Sequence, residues 1–431
     1  MHTLYVKWYH EISYDDILLV GETNASLGEM NVELSRSTDV NIPDGFVITI
    51  DGYRGLLSED AVIELRVLME SLDNSKEDFT HQLSVIGNKA RQIIFKSTLP
   101  VECIKQVLEA YVKLSKDNYC NCVAVRCSVI TEDLPFASFP GQHDSFLNIT
   151  DEIELIEAVM KCYASLFTDR AICYRMDNGF DHFKVSMSIG IMNMVRSDLA
   201  CSGVVFTSDN DSGFKDGIYI TGTYGLLDNS MCGTVDPDEY YVFKPTFKEG
   251  YKSILRRRLG KKETKLIFTN DHSSGTINTV LCSDEESSQF CLTDVQALRL
   301  AYFAITVENH YSKIIPVNLV RVDIEWALDG VNGLMYVTQA TPIMLSRKVP
   351  VLPNPTRYML ENHNMTMTIT GFSIGTTISY GVVRIIRTEE DLQALKVDEI
   401  VVSDSTYPSW EPLLKRASGI VTNHGRLACH A

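Results

Sequence analysis

Apolar residues recur in two different periods along this chain, and the changes of period mark its parts. Leu65, Leu68, Met69 and Leu72 repeat at three- and four-residue steps, the spacing of one helix face. That spacing predicts helices through most of 58–115. Ahead of it, Ile42–Thr49 (IPDGFVIT) reads as a turn feeding a strand. A glycine turn at Val20–Gly21 leads into a helix predicted from Ala25 to Leu34. Val123–Arg126 is a short apolar run, predicted as a buried strand. It empties into a polar loop over Cys127–Phe139, the kind of connection that carries function.

From Gly203 to Lys244 strands and turns take over, with turn clusters at Ser208–Gly213 and Val235–Tyr240. Val322–Ala327 and Leu334–Gln339 flank Asp329-Gly330-Val331-Asn332-Gly333, a strong hairpin signal. Beyond the hairpin the chain is punctuated by Pro342, Pro350, Pro353 and Pro355. The expected division is a region over 1–345 with parts at about 1–200 and 201–345, a linker over 346–368, and a small β/α segment over 369–431. The fold class is mixed, α+β or α/β.

Composition narrows the function classes. The 431 residues carry a formal net charge of −17. Nucleic-acid binding needs a basic face that neutralises phosphates, and is not expected here. The acidic balance fits a solvated surface, and leaves a homo-oligomer open. The 11 cysteines are odd in number and scattered through apolar runs, which points to reduced thiols and a cytoplasmic setting. Cys120 and Cys122 lack a second pair and do not read as a zinc site. No apolar run reaches the ~20 residues of a membrane helix.

Asp323 and Glu325 stand two apart on a predicted strand, so both carboxylates share one face. Gln339 falls on the partner strand of the hairpin, where an even register brings its amide oxygen to that face. Oxygen donors gathered this way suit Mg²⁺, which is held by one or two carboxylates plus nucleotide phosphates. By themselves such residues are better explained as a polar face turned to water. Arg126 closes the strand Val123–Val125, and a guanidinium fork suits phosphate oxygens. Trp410 and Pro412 are expected to pack the small segment. His143 reads as a loop residue and His182 as a packing or hydrogen-bonding one.

Many motifs then fall in one collinear order. They include Asn24–Met30 (NASLGEM), Ile42–Thr49, Val123–Arg126 with Glu132–Pro135 and Gly141-Gln142, and Ala164–Ala171 (ASLFTDRA). Asn178–His182, Met194–Leu199, Gly213–Asp216, Asp236–Pro245 (DPDEYYVFKP), Asp323–Ala327 (DIEWA), Gln339-Ala340 and Pro408–Pro412 continue the series. It ends with Ile420–Ala431, which closes on Cys429-His430. This order resembles the phosphoenolpyruvate synthases over nearly the whole chain.

The resemblance implies an ATP-grasp nucleotide-binding region, then a swivelling phosphohistidine domain, then a pyruvate-binding barrel. The implied reaction turns ATP, pyruvate and water into AMP, phosphoenolpyruvate and phosphate, with Mg²⁺, a step of gluconeogenesis. It implies Arg126, Asp323, Glu325 and Gln339 as ATP-binding residues, Glu325 and Gln339 as metal ligands, and His430 as the phosphoryl carrier. On this reading residues 1–431 hold the first region and part of the second. Pyruvate is a partner only if the barrel is supplied elsewhere.

Two departures qualify the expectation. Where the family pattern has a lysine and an arginine, this chain has Thr23, beside Glu22, and Thr341. A charge-assisted hydrogen bond contributes ~1.5–3 kcal/mol. Losing two weakens phosphate binding on the order of 10²–10⁴-fold, at ~1.4 kcal/mol per tenfold. The carboxylate of Ala431 also opposes a phosphoryl group on His430. The chain alone is therefore expected to phosphorylate His430 faintly and to make no phosphoenolpyruvate. The alternative is a catalytically impaired nucleotide- or partner-binding descendant, or a fragment of a longer synthase.

Overall fold

The fold was taken from a computed structural model, which describes residues 3–73, 78–116, 122–131, 145–209, 214–227, 235–269, 277–315, 319–344, 371, 373–374, 378–407 and 410–424. It is mixed α/β, as expected.

Five strands build the first sheet: β1 (Val6–Trp8), β2 (Gly45–Ile48), β3 (Val123–Thr131), β4 (Ser145–Ile149) and β5 (Val185–Asn193), in the order β1-β2-β5-β3-β4. Helices Glu59–Glu70, Phe79–Lys96, Val101–Lys116 and Glu152–Ser165 supply the apolar faces that cover it, through residues such as Leu65, Leu83, Ile94, Val107 and Leu155. The helical spacing seen over 58–115 is realised in three of these helices.

The second sheet is larger. It holds β6 (Cys201–Phe206), β7 (Gly217–Tyr224), β8 (Asp238–Phe243), β9 (Ile254–Arg258), β12 (Leu319–Leu328) and β13 (Met335–Met344), in the order β13-β12-β6-β7-β8-β9. A separate antiparallel pair, β10 (Thr264–Phe268) and β11 (Ile277–Leu281), lies between β9 and β12 in sequence. Helix Asp294–Ile314 buries Ala297, Leu300, Ala301, Ala304, Val307 and Tyr311, an i, i+3, i+4, i+7 stripe. Against the same core lie Val322, Ile324 and Trp326, alternate residues of β12. Because side chains on a strand alternate, burying these three turns Asp323 and Glu325 to the opposite face.

Helix Ile17–Glu33 ties the two sheets together. Ser26 Oγ donates to the Ala340 carbonyl at 2.6 Å and lies 2.5 Å from the Tyr311 hydroxyl. Asn24 Nδ2 donates to Ser188 Oγ at 3.0 Å. The NASLGEM motif is thus the seam between sheets. The helix starts earlier than the predicted Ala25, at Ile17, and is broken at Gly21, whose φ is +75°. Only glycine takes that backbone cheaply, and a Cβ there would sit 2.2 Å from Ser128 Oγ. The glycine turn therefore sits inside the helix, against β3.

The strand predicted to end at Arg126 runs on to Thr131. Cys127–Thr131 pair in full register with β5, and this backbone ladder overrides the local polarity of Cys127 and Ser128 that suggested a loop. The remainder of that predicted loop, with Glu132–Pro135, Gly141, Gln142 and His143, lies outside the described residues. So do Asn210–Gly213 and the predicted linker.

A small parallel sheet comes last, β14 (Val383–Ile385), β15 (Ile400–Ser403) and β16 (Gly419–Thr422), in that order. Ile386, Leu392, Leu395, Val401, Trp410, Leu413 and Leu414 form its core, so Trp410 packs this segment as expected. Helix Glu411–Leu414 faces helix Asp169–Asp177. Arg170 Nε donates to Glu411 at 2.5 Å, and Lys415 pairs with Asp177.

Among the described residues, no helix is long and apolar enough to cross a membrane. Seven described cysteines are free. Cys122 differs from the reduced state expected of it: it is disulfide-bonded.

Candidate nucleotide site

The hairpin β12–β13 and the strand β3 place the predicted residues on one another. Glu325 and Gln339 are direct cross-strand partners, and Asp323 opposes Thr341. Opposed residues of an antiparallel pair share a face, so Asp323, Glu325, Gln339 and Thr341 all project to the side away from helix Asp294–Ile314. The even register inferred from the hairpin is the one observed. A bulge between Glu325 and Trp326 comes just after the site.

Arg126 reaches this face from the other sheet. Its Nη2 donates to Glu325 Oε2 at 2.6 Å and to Gln339 Oε1 at 2.8 Å, and its Nη1 donates to the Thr338 carbonyl at 3.0 Å. The Arg126 and Glu325 side chains are 18% and 15% exposed. Such a pair is reachable by a ligand yet poorly screened by water. Three of the four nucleotide-binding candidates are thus in direct contact.

Asp323, the fourth, stands one pleat along. It is held by Arg321, a residue that no sequence motif singles out. Arg321 Nε donates to Oδ1 at 2.6 Å and Nη2 to Oδ2 at 3.2 Å. Burial raises the Asp323 carboxyl above its usual value, and the Arg321 guanidinium opposes that rise. The signal available in the sequence was a basic residue two before Asp323, hence on the same strand face. Gln339 Nε2 donates to Thr341 Oγ1 at 3.2 Å, so the hydroxyl at 341 is used within the face.

On the neighbouring strand Phe206 is the cross-strand partner of Asp323 and Val204 that of Glu325. Val204, Phe206 and Tyr219 form a small apolar cluster of their own, with Leu227 and Tyr241 against it. The Phe206 and Tyr219 rings are stacked 6.1 Å apart. An apolar shelf therefore flanks the charged part of the face, the combination that a flat heterocycle bearing an anionic tail requires.

Near Gly21, burial pushes the Glu22 carboxyl up to about 7, opposed by a hydrogen bond from the Tyr14 hydroxyl at 3.4 Å. Thr23, one of the two departures from the family pattern, is the next residue. His182 accepts from Arg175 Nε at 2.9 Å through Nδ1, and burial together with that cation lowers it to about 4. It is a hydrogen-bonding residue, as read from the sequence. His430 and Cys429 lie outside the described residues.

The donor set suits magnesium. Glu325 supplies a carboxylate and Gln339 an amide oxygen, hard donors that phosphate oxygens and water complete. Among the described residues, no group of three or more His, Cys, Asp or Glu is placed to hold a metal.

Comparison with known proteins bears on the family of the chain. Residues 17–362 match the family described as "Pyruvate phosphate dikinase, AMP/ATP-binding domain", and residues 395–431 match "PEP-utilising enzyme, mobile domain". The chain is 40% identical over 440 residues to a phosphoenolpyruvate synthase of Synechocystis sp., covering 100% of this chain and 52% of that protein. It is 39% identical over 434 residues to one of Helicobacter pylori, covering 99% and 53%. It is 37% identical over 427 residues to one of Escherichia coli (strain K12), covering 99% and 52%. The chain spans about half the length of the curated relatives it matches.

Proposed function

Since this chain belongs to the family of the pyruvate phosphate dikinase AMP/ATP-binding domain, we propose that it binds magnesium–ATP on the β12–β13 face and passes a phosphoryl group to His430. The reading is that of the nucleotide-binding part of a phosphoenolpyruvate synthase-like phosphotransferase. The observation that carries it is the meeting of Arg126, Glu325 and Gln339 across two sheets. A half-buried guanidinium beside a carboxylate and an amide oxygen is suited to grip phosphate oxygens and to share a cation with them.

In this reading Arg126 holds phosphate oxygens, Glu325 and Gln339 hold the magnesium ion, and Asp323 steadies the charged face. The bound ion supplies charge neutralisation of the phosphates. The His430 imidazole attacks the β-phosphorus and AMP leaves. Water then takes the γ-phosphoryl group as inorganic phosphate, so the β-phosphoryl group stays on His430. Catalysis of this kind rests on alignment and charge stabilisation. The matched mobile domain, 395–431, fits the role of carrier. The full conversion of pyruvate to phosphoenolpyruvate belongs to this proposal only where a pyruvate-binding barrel is present. The proposed division is 1–345 for nucleotide binding, 346–368 for a linker and 369–431 for the carrier domain.

Calorimetric titration of the chain with ATP, with and without Mg²⁺, tests the reading. Magnesium-dependent binding that weakens in Glu325→Ala supports it. Binding that is unchanged in Glu325→Ala overturns the site.

A further inference from the structure

The nucleotide face carries a second guanidinium, and its bonding differs from that of Arg126. Arg126 is engaged through both terminal nitrogens, by Thr338, Glu325 and Gln339. Arg321 is held on one edge, through Nε and Nη2, by the carboxylate of Asp323. Among the described residues its Nη1 has no hydrogen-bond partner. A guanidinium offers five N–H donors in a rigid fork. With one edge fixed, the donors that remain have a set direction and pay little entropy to bind a ligand.

Position and charge point the same way. Arg321, Asp323 and Glu325 are alternate residues of β12 and share its open face. Arg321 and Glu325 are four residues apart, about 13 Å along a strand. That span lies within reach of two arginine side chains converging on one chain of phosphates. Thr341 opposes Asp323 across the hairpin, and its side chain is short and uncharged. Within the β12–β13 part of the face, Arg126 and Arg321 balance Glu325 and Asp323. A polyphosphate bound there needs donors beyond those already spent on carboxylates, and Arg321 has them.

The geometry points to Arg321 as a phosphate-binding residue of this site, oriented by Asp323 and standing in for the cation that position 341 lacks. This deepens the nucleotide-binding reading and rests on it. Arg321 contacts the phosphates through Nη1, while Asp323 keeps Nε. Asp323 is then a positioning residue, acting through Arg321.

The test compares magnesium–ATP with adenosine, which has the base and ribose but no phosphate. Their dissociation constants are measured on the full chain for the parent, Arg321→Met, Thr341→Arg and the double variant, with melting temperatures checking the fold. Arg321→Met should weaken magnesium–ATP tenfold or more and leave adenosine within twofold. Thr341→Arg should restore most of the ATP affinity in the Arg321→Met background and add little to the parent. Equal ATP affinity in the parent and Arg321→Met overturns the assignment of Arg321 and leaves the site intact. Parallel loss of ATP and adenosine also overturns it, since that marks a role in holding the sheet. Arg321→Lys, which keeps the charge and loses the fork, is the second variant should Arg321→Met fail to fold. It should sit between the parent and Arg321→Met for ATP alone, and parent-like ATP binding in it counts against the fork. A parent that binds no magnesium–ATP sinks the nucleotide reading and this one with it.

Discussion

Arg126 and Glu325 are 199 residues apart in sequence and 2.6 Å apart in space, one on each of the two large sheets. Each is mostly shielded from water, so truncating either leaves its partner partly buried without its charge. Arg126→Ala and Glu325→Ala should each weaken magnesium–ATP binding at least tenfold, since a charge-assisted hydrogen bond contributes about 1.5–3 kcal/mol and about 1.4 kcal/mol is tenfold. The double variant should lose less than the sum, because the two residues contact each other. Strict additivity in a double-mutant cycle would show that they do not act on one ligand.

Thr23 gives a prediction of gain. It stands just after Gly21 and Glu22 in the break of helix Ile17–Glu33, and that break packs on β3 at Ser128, two residues beyond Arg126. Thr23→Lys should tighten ATP binding by roughly tenfold through one regained ionic contact, with less effect on adenosine. Titration of both ligands reads this out. No gain for ATP would mean that the turn does not face the phosphates.

Much of this site was legible in the sequence because strands have period two. Asp323 and Glu325 had to share a face, and the Asp329–Gly333 turn brought Gln339 opposite. What local pattern could not supply was the partner from the other sheet. Nothing near Arg126 in sequence says that it meets Thr338, Glu325 and Gln339. The extension of β3 was likewise hidden, since Cys127 and Ser128 are strand residues only because β5 pairs with them. Arg321 was hidden for a different reason: it stands outside the DIEWA motif. Its meaning comes from alternation, which puts it beside Asp323, and from an ion pair seen only in three dimensions.

Glu22 makes stability depend on pH. Its folded-state value of about 7 lies above the ordinary carboxyl value of 4.5, so the folded chain holds a proton there that the unfolded chain has lost. Stability should therefore fall as pH rises from about 4.5 to about 7. Glu22→Gln removes this dependence. The variant should match the parent near pH 4 and exceed it at pH 8 by on the order of 1–3 kcal/mol. Urea titrations at the two pH values check the sign, and a variant less stable than the parent at pH 8 would contradict it.

His430 provides the chemical test of the carrier role. Attack on the β-phosphorus displaces AMP and puts the β,γ-diphosphoryl unit on the imidazole; water then takes the γ-phosphoryl group as phosphate, which leaves the β-phosphoryl group of ATP on His430. Incubation with β-labelled ATP and Mg²⁺ should therefore label the chain, and a chase should leave no stable label from the γ position. A phosphoramidate is acid-labile and base-stable, so brief acid treatment should release the label. His430→Ala should abolish labelling while leaving magnesium–ATP affinity within about twofold, because covalent transfer and nucleotide binding use different residues. Glu325→Ala should reduce both, since the nucleotide must be held before its phosphorus can be attacked. Acid-stable label, or label that survives in His430→Ala, would place the phosphoryl acceptor elsewhere in the chain.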